Sequence, residues 1–316
     1  MPSAEEIRTQ VALEVERRRL LSVPALAGGV LFLFGSITIE TTLKGAPTVG
    51  LLQGLRPALS GVANPAVSPR TAEVKFVSHH AFALISGSVL AALAIAALTL
   101  VLLLVLDATR FRRPQTWSAA RPLVLAGGIA FALVSVGHQV ASAVETHKFA
   151  VGHDFSSHAV DQALTKGAVN LTVQYVAFLA GLALAAGMIA VMINALRVGL
   201  LPRWVAIMGM LTAVLIFFPL GGTVLGVIPA FWMVVIGILF SGRWPKPGEP
   251  PAWASGEPRP WPTAAERRAE RGADSQGRRR PAATPQPAVS AAGAELAGAA
   301  GTGAPRKRRR KRGRRG

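Results

Sequence analysis

From Ala81 to Leu106 the chain reads AFALISGSVLAALAIAALTLVLLLVL, 26 residues without a charge. As a helix rising about 1.5 Å per residue it would be roughly 39 Å long, enough to cross a hydrocarbon core of ~30 Å. Fifteen of these residues are Leu, Ile, Val or Phe, and each favours insertion by about 0.3–0.6 kcal/mol. A soluble core helix of this length would carry a polar stripe, and there is none. The stretch therefore restricts the chain to helices embedded in a bilayer. His79 and His80 precede it, and Asp107, Arg110, Arg112 and Arg113 follow. Because Lys and Arg are retained on the cytoplasmic side, the segment is expected to run from outside to inside.

The same reasoning along the chain predicts an all-α, six-span transmembrane helical bundle with a disordered basic C-terminal tail. The expected spans are about 21–39, 81–106, 122–144, 168–196, 204–218 and 223–240, within a membrane domain of 21–241. Residues 1–20 read as a separate cytoplasmic amphipathic helix. Ser3 and Glu6 have capping-box spacing, Ile7, Val11 and Val15 share a face, and Arg17, Arg18 and Arg19 come late, where the helix dipole favours cations. The Arg-Arg-Arg-Leu-Leu run resembles a signal-peptide start, but no A-x-A-like cleavage site follows it. Pro24 is expected near the start of the first span, where its missing N–H is tolerated. Glu40 to His80 forms the longest outer loop, with a short interfacial helix expected at Leu51, Leu52, Leu55 and Leu59. Arg203 and Arg243 bracket 39 uncharged residues, too many for one span. Pro219, Gly221 and Gly222 mark a reversal there, giving either two spans or a re-entrant hairpin. Small-residue rows at Ala83, Gly87 and Ala91, and at Ala177, Gly181 and Ala185, are places where helices of this chain, or a second copy in a homo-oligomer, can approach closely.

Half the residues are hydrophobic, yet the formal charge is +18. The two facts belong to different regions, since 18 of the 34 Lys and Arg lie after Ser241. Six spans place 28 Lys and Arg inside and 6 outside, so both termini are expected in the cytoplasm of a plasma membrane. The Ala, Gly, Pro and Arg bias suggests a bacterial gene of high GC content. There is no Cys, which excludes disulfides, thiolate zinc sites and iron–sulfur clusters. Residues 242–316 read as a Pro/Arg-rich tail, with Trp204 and Trp244 as interfacial anchors and a short helix capped by Thr263 and Glu266. Its end carries Arg306, Lys307, Arg308, Arg309, Arg310, Lys311, Arg312, Arg314 and Arg315. Such a run suits anionic lipid headgroups, at about 1 kcal/mol per cation, or nucleic-acid phosphates. No aromatic residue is interleaved in it, so base stacking is not expected.

All six histidines fall on the expected outer side or in the outer third of a span. His79, His80, His138, His147, His153 and His158, with Glu145 and Asp154, form an imidazole and carboxylate set that suits zinc or another divalent metal, or a pH-sensitive surface. The spacing does not reinforce this, because His153 and His158 are five apart and H-E-x-x-H is absent. Walker, dinucleotide-binding and nucleophile-elbow motifs are absent as well, and no catalytic residue is assigned. No span carries Asp, Glu, Lys or Arg away from its flanks, which disfavours an ion-coupled pump. The expected role is a non-enzymatic membrane protein with a structural or interaction function. The alternatives are an outward-facing metal enzyme or carrier, and a small-solute transporter.

The runs RVGLLPRWVAIMG, AFWMVVIGILFSGRWP and PPAWASGEPRPWPTAAE resemble a group of multi-pass membrane proteins of high-GC Gram-positive bacteria whose function is unknown. The likeness covers roughly residues 195–270, and reaches the earlier spans only through hydropathy and order. It implies a multi-span membrane architecture and no activity.

Overall fold

The computed structural model describes residues 3–50, 52–53, 59–61, 67–217, 223–244, 250–261, 266 and 268. Two compact units divide at Trp261 and Pro262, and the fold below is that of the first. In the second, Glu266 and Arg268 are helical, and the rest of the expected capped helix and the basic run 306–315 lie outside the described residues. So does most of the expected interfacial helix at Leu51–Leu59.

The described residues form helices and no strand. In chain order they are α1 (Ala4–Lys44), α2 (Thr71–His79), α3 (Ala81–Arg112), α4 (Ala120–Val151), α5 (Ser157–Asp161), a π-helical turn (Gln162–Lys166), α6 (Ala168–Val198), α7 (Arg203–Phe217), α8 (Thr223–Phe240) and α9 (Pro251–Ser255). Four helical segments are long and apolar enough to cross a bilayer: α1, α3, α4 and the run from Ser157 to Val198. The chain is a helical membrane protein. The shorter α7 and α8 are also apolar.

The long helices pack as a closed ring in the order α1, α3, α4, α6, α7, α8 and back to α1, with α3 also touching α6 across the interior. The core between them holds Leu102, Leu106, Leu184, Met188, Met192, Trp232 and Ile236, all buried. Small residues set the spacing of the seams. A Cβ added to Gly35 of α1 would lie 2.6 Å from the carbonyl oxygen of Gly87 in α3, so one of the small-residue rows read from the sequence is an α1–α3 contact. Gly127 and Gly187 similarly hold α4 against α6. Leu125, Ile129 and Leu133 of α4 point outward, as expected of a face turned to lipid.

Two boundaries differ from the sequence expectation. The separate helix at 1–20 and the span at 21–39 are one continuous helix of 41 residues, with Pro24 in its interior. The capping box at Ser3 and Glu6 starts it, and nothing between Glu16 and Leu21 breaks a run of good helix formers. Proline removes only the amide that would pair with the Leu20 carbonyl, and Leu20 is exposed. The expected tail from 242 does not begin there either. Residues 250–261 fold back under the bundle, with α9 against α1, and Trp253 is fully buried. The apolar side chains there outweigh the Pro/Gly content that suggested disorder.

Candidate functional site

Both ends of the bundle carry polar structure, and the end expected to face inward is the more deeply built. Glu14 and Arg18 lie one turn apart on α1 and are both buried. Arg112, in the last turn of α3, reaches Glu14 with two charge-assisted hydrogen bonds, of 2.9 and 2.8 Å. The same guanidinium donates to the Ala252 carbonyl through Nε at 3.0 Å and Nη2 at 2.9 Å, and to Ala108 at 2.9 Å. Gln10 adds a bond to Glu14 at 3.0 Å. The carboxylate and the guanidinium are therefore both well satisfied, the condition under which a buried ion pair is tolerated.

Trp253 fills the centre of this clasp. Its indole N–H donates to the Leu200 carbonyl at 2.9 Å. Arg18 lies over its ring at 4.5 Å and Arg112 at 5.4 Å, within cation–π range. Phe240, at the end of α8, meets it edge to face at 6.2 Å. One side chain thus ties together α1, α3, the α6–α7 turn and α8. Ile7 and Val11 of α1 pack on Gly256, so part of the amphipathic face of the expected cytoplasmic helix is covered by the chain itself. Gly199 (φ +77°) lies directly against the Arg259 backbone, a position no Cβ could occupy, and the Arg259 amide donates to Val198 at 3.2 Å.

The opposite end of the bundle is capped by docked loops. The Ser68 amide donates to the Phe155 carbonyl at 2.7 Å, while Val74, Phe149, Val160 and Ala163 form a small second core. Lys75 lies over the Phe155 ring at 4.7 Å. Asp161 accepts from Lys166 at 2.8 Å and faces Arg70 at 3.9 Å. The Lys166 hydrogen bond is the main cause holding the Asp161 carboxyl below its ordinary value. Arg70 is in turn held protonated above its usual value, chiefly by its hydrogen bond to Glu73. Arg70, Glu73 and Asp161 line a cleft of about 700 Å³ beside the end of α1. Its charges are paired with one another.

The expected metal ligands do not converge. No group of three or more His, Asp or Glu positioned to share a metal ion occurs among the described residues. The Nδ1 atoms of His79 and His80 turn back to the Lys75 and Phe76 carbonyls, at 3.0 and 2.9 Å, and His80 stacks on Phe76. His158 approaches Gln162 at 3.1 Å, Glu145 pairs with Lys148 at 3.1 Å, and Asp154 accepts from the Ser156 amide at 2.9 Å. That amide hydrogen bond is the first cause lowering the Asp154 carboxyl below its ordinary value. His138, His147 and His153 are exposed at separate positions. The physical reason is local: each side chain finds a partner within its own helix or turn, or points outward, before any shared centre can form.

Trp204 and Trp244, the expected interfacial anchors, lie edge to face at 5.9 Å. The residues that sequence reading missed are Glu14, Arg18, Arg112 and Trp253. The available signals were an acid and a base at i,i+4 in an otherwise surface-like helix, and a tryptophan inside a Pro-rich run. No protein-family model matches the chain, and neither a curated protein nor a solved structure matches it significantly.

Proposed function

We propose that this is a bacterial plasma-membrane protein of six spans with both termini cytoplasmic. Its role is non-enzymatic: the bundle anchors the basic C-terminal sequence at the inner face, where that sequence contacts anionic lipid headgroups or nucleic acid. The observation that carries the reading is the clasp. Residues 250–261, which lead in sequence toward the basic run, are fixed by a buried tryptophan and a buried ion pair. Such a device holds a chain segment in place and does no chemistry. The kinship with multi-pass proteins of high-GC Gram-positive bacteria belongs to the same proposal.

The six-span count is supported by register. Gly226 of α8 abuts Ser36 of α1, and Gly237 abuts Leu26, so α8 runs beside most of the length of the first span. Orientation rests on the excess of Lys and Arg on one side. The metal-carrier reading loses its support with the dispersal of the histidines, and the transporter reading meets a core filled with Leu, Met and Trp.

The test compares the full chain with a deletion of Arg306–Gly316, each in phosphatidylcholine nanodiscs. Capture of phosphatidylglycerol vesicles and of a labelled RNA duplex is measured across salt concentrations. The full chain should capture at least one of them, with affinity falling as salt rises, and the deletion should weaken that capture sharply. Equal capture by both proteins would remove the tail from the function.

A further inference from the structure

Three Arg–Trp pairs, far apart in sequence, meet at the inner edge of the bundle. Arg203-Trp204 opens α7, Arg243-Trp244 follows α8, and Arg259-Pro260-Trp261 ends the clasp segment. Trp204 meets Trp244 edge to face at 5.9 Å, and Trp244 stacks on Trp261 at 6.3 Å with 20° between the rings. Each of the three tryptophans thus has an exposed arginine one or two residues before it in the chain. Arg259 has Glu257 at 3.8 Å, while Arg203 and Arg243 pair with no carboxylate among the described residues. The indole nitrogen of Trp261 is buried and has no acceptor among the described residues.

We infer that this face is a binding site for the phosphodiester headgroup of an anionic phospholipid. The inference rests on the membrane reading above but not on the basic tail. Guanidinium groups present paired donors that match phosphate oxygens. Tryptophans sit where headgroups meet acyl chains. A buried N–H without an acceptor is costly, and the one on Trp261 is a polar group that the described residues leave unsatisfied. Charge complementarity selects an anionic lipid over a zwitterionic one. The indoles at the membrane boundary favour a lipid over a soluble anion, which would need no aromatic platform.

The experiment uses the full chain in phosphatidylcholine nanodiscs with spin-labelled phosphatidylglycerol as the probe and spin-labelled phosphatidylcholine as the reference. Three further proteins are compared: R203Q/R243Q/R259Q, Trp261→Phe, and the deletion of Arg306–Gly316. The parent and the deletion should both hold phosphatidylglycerol preferentially. Each arginine near an anionic headgroup is worth about five-fold in affinity, so the triple variant should lose most of the preference. Trp261→Phe keeps an aromatic ring but removes the N–H together with the fused five-membered ring, and should weaken the preference several-fold with helical content unchanged. Parent-like preference in both the triple variant and Trp261→Phe would overturn the site. Loss of the preference on tail deletion alone, with the triple variant unaffected, would overturn it too while leaving the tail contact standing. Displacement of the labelled lipid by millimolar inorganic phosphate would make this a free-anion site and refute the lipid assignment.

Discussion

Arg112 shows how much can depend on one side chain at the end of a membrane helix. Its guanidinium is the shared partner of Glu14 and of the Ala252 carbonyl. Removing one member of a buried ion pair leaves the other charge uncompensated, at a cost of about 3–5 kcal/mol. Arg112→Met should therefore destabilise the protein by that order in a detergent melt, and Glu14→Leu likewise. The double variant should recover much of the loss, because an apolar pair of similar volume has no buried charge left to satisfy. Additive losses in the double-mutant cycle would show that the two residues do not act as a pair. Trp253 separates two contributions. Trp253→Phe loses the bond to the Leu200 carbonyl and should cost about 1–3 kcal/mol, while Trp253→Ala also empties the centre of the clasp and should cost about 3–5 kcal/mol. At this scale the sequence was least readable. Glu14 is one of eight charged residues from Glu5 to Arg19 that look like a solvated surface, and its partner is 98 residues away. Conversely, six histidines on one side looked like a ligand set, yet side and sector are different things, and only the fold decides which residues share a centre.

The helices themselves were largely legible, because a bilayer demands long uncharged stretches and the chain supplies them plainly. What pattern reading could not see was where one helix ends and another begins when the break is weak. Pro24 and the run of three arginines suggested a joint in α1, but neither interrupts the hydrogen bonding enough to create one. The small-residue row on α3 was visible, whereas its partner at Gly35 was not, since contact between helices depends on ring order. Gly35→Leu should drive a branched side chain into the Gly87 backbone and force α1 and α3 apart. A loss of at least about 1–3 kcal/mol is expected from overpacking, read as a lower melting temperature with unchanged helical content. The cap at the end of the bundle away from the clasp makes a separate prediction. Asp161 lies outside the expected span at 168–196, and its carboxyl is depressed by Lys166 and Arg70. A group with a lowered folded-state pKa stabilises at pH values above its unfolded value, and that stability is lost as pH falls through the folded one. Amide protection over residues 157–166, taken relative to the intrinsic exchange rate at each pH, should therefore stay high from neutral pH down to about pH 4, the ordinary carboxylate range, and fall only below it. Asp161→Asn should quicken exchange at neutral pH and flatten its acid dependence.

At the scale of the whole molecule, the α7–α8 hairpin returns the chain to the side it left whether it crosses the bilayer or re-enters, and the two cases differ in the side on which its turn lies. A helix of 15 residues such as α7 covers only about 22 Å at 1.5 Å per residue, short of a ~30 Å core. Its far end meets α6 at Phe178, where Phe217 packs at 5.1 Å, about ten residues inside the start of α6. Length alone would favour re-entry, but the partner helix argues otherwise. α8 lies along α1 from Leu26 to Ser36, and α1 must cross if its charged N-terminal third and Glu40–Lys44 are on opposite sides. A hairpin whose second arm follows a crossing helix this far leaves few residues between the turn and the outer headgroups, which can thin locally to meet it at modest cost. The absence of native cysteine makes the test direct. Single cysteines at Ser118, Ser156, Gly221 and Ser255 are labelled in intact cells with a membrane-impermeant maleimide, then again after permeabilisation. Ser156 and Gly221 should react from outside, and Ser118 and Ser255 only after permeabilisation. Reaction at Gly221 only after permeabilisation, with the other three as expected, would make the hairpin re-entrant while keeping the C-terminal segment inside. Reaction of Ser255 from outside would invert that end of the molecule and detach the basic run from every cytoplasmic partner proposed for it.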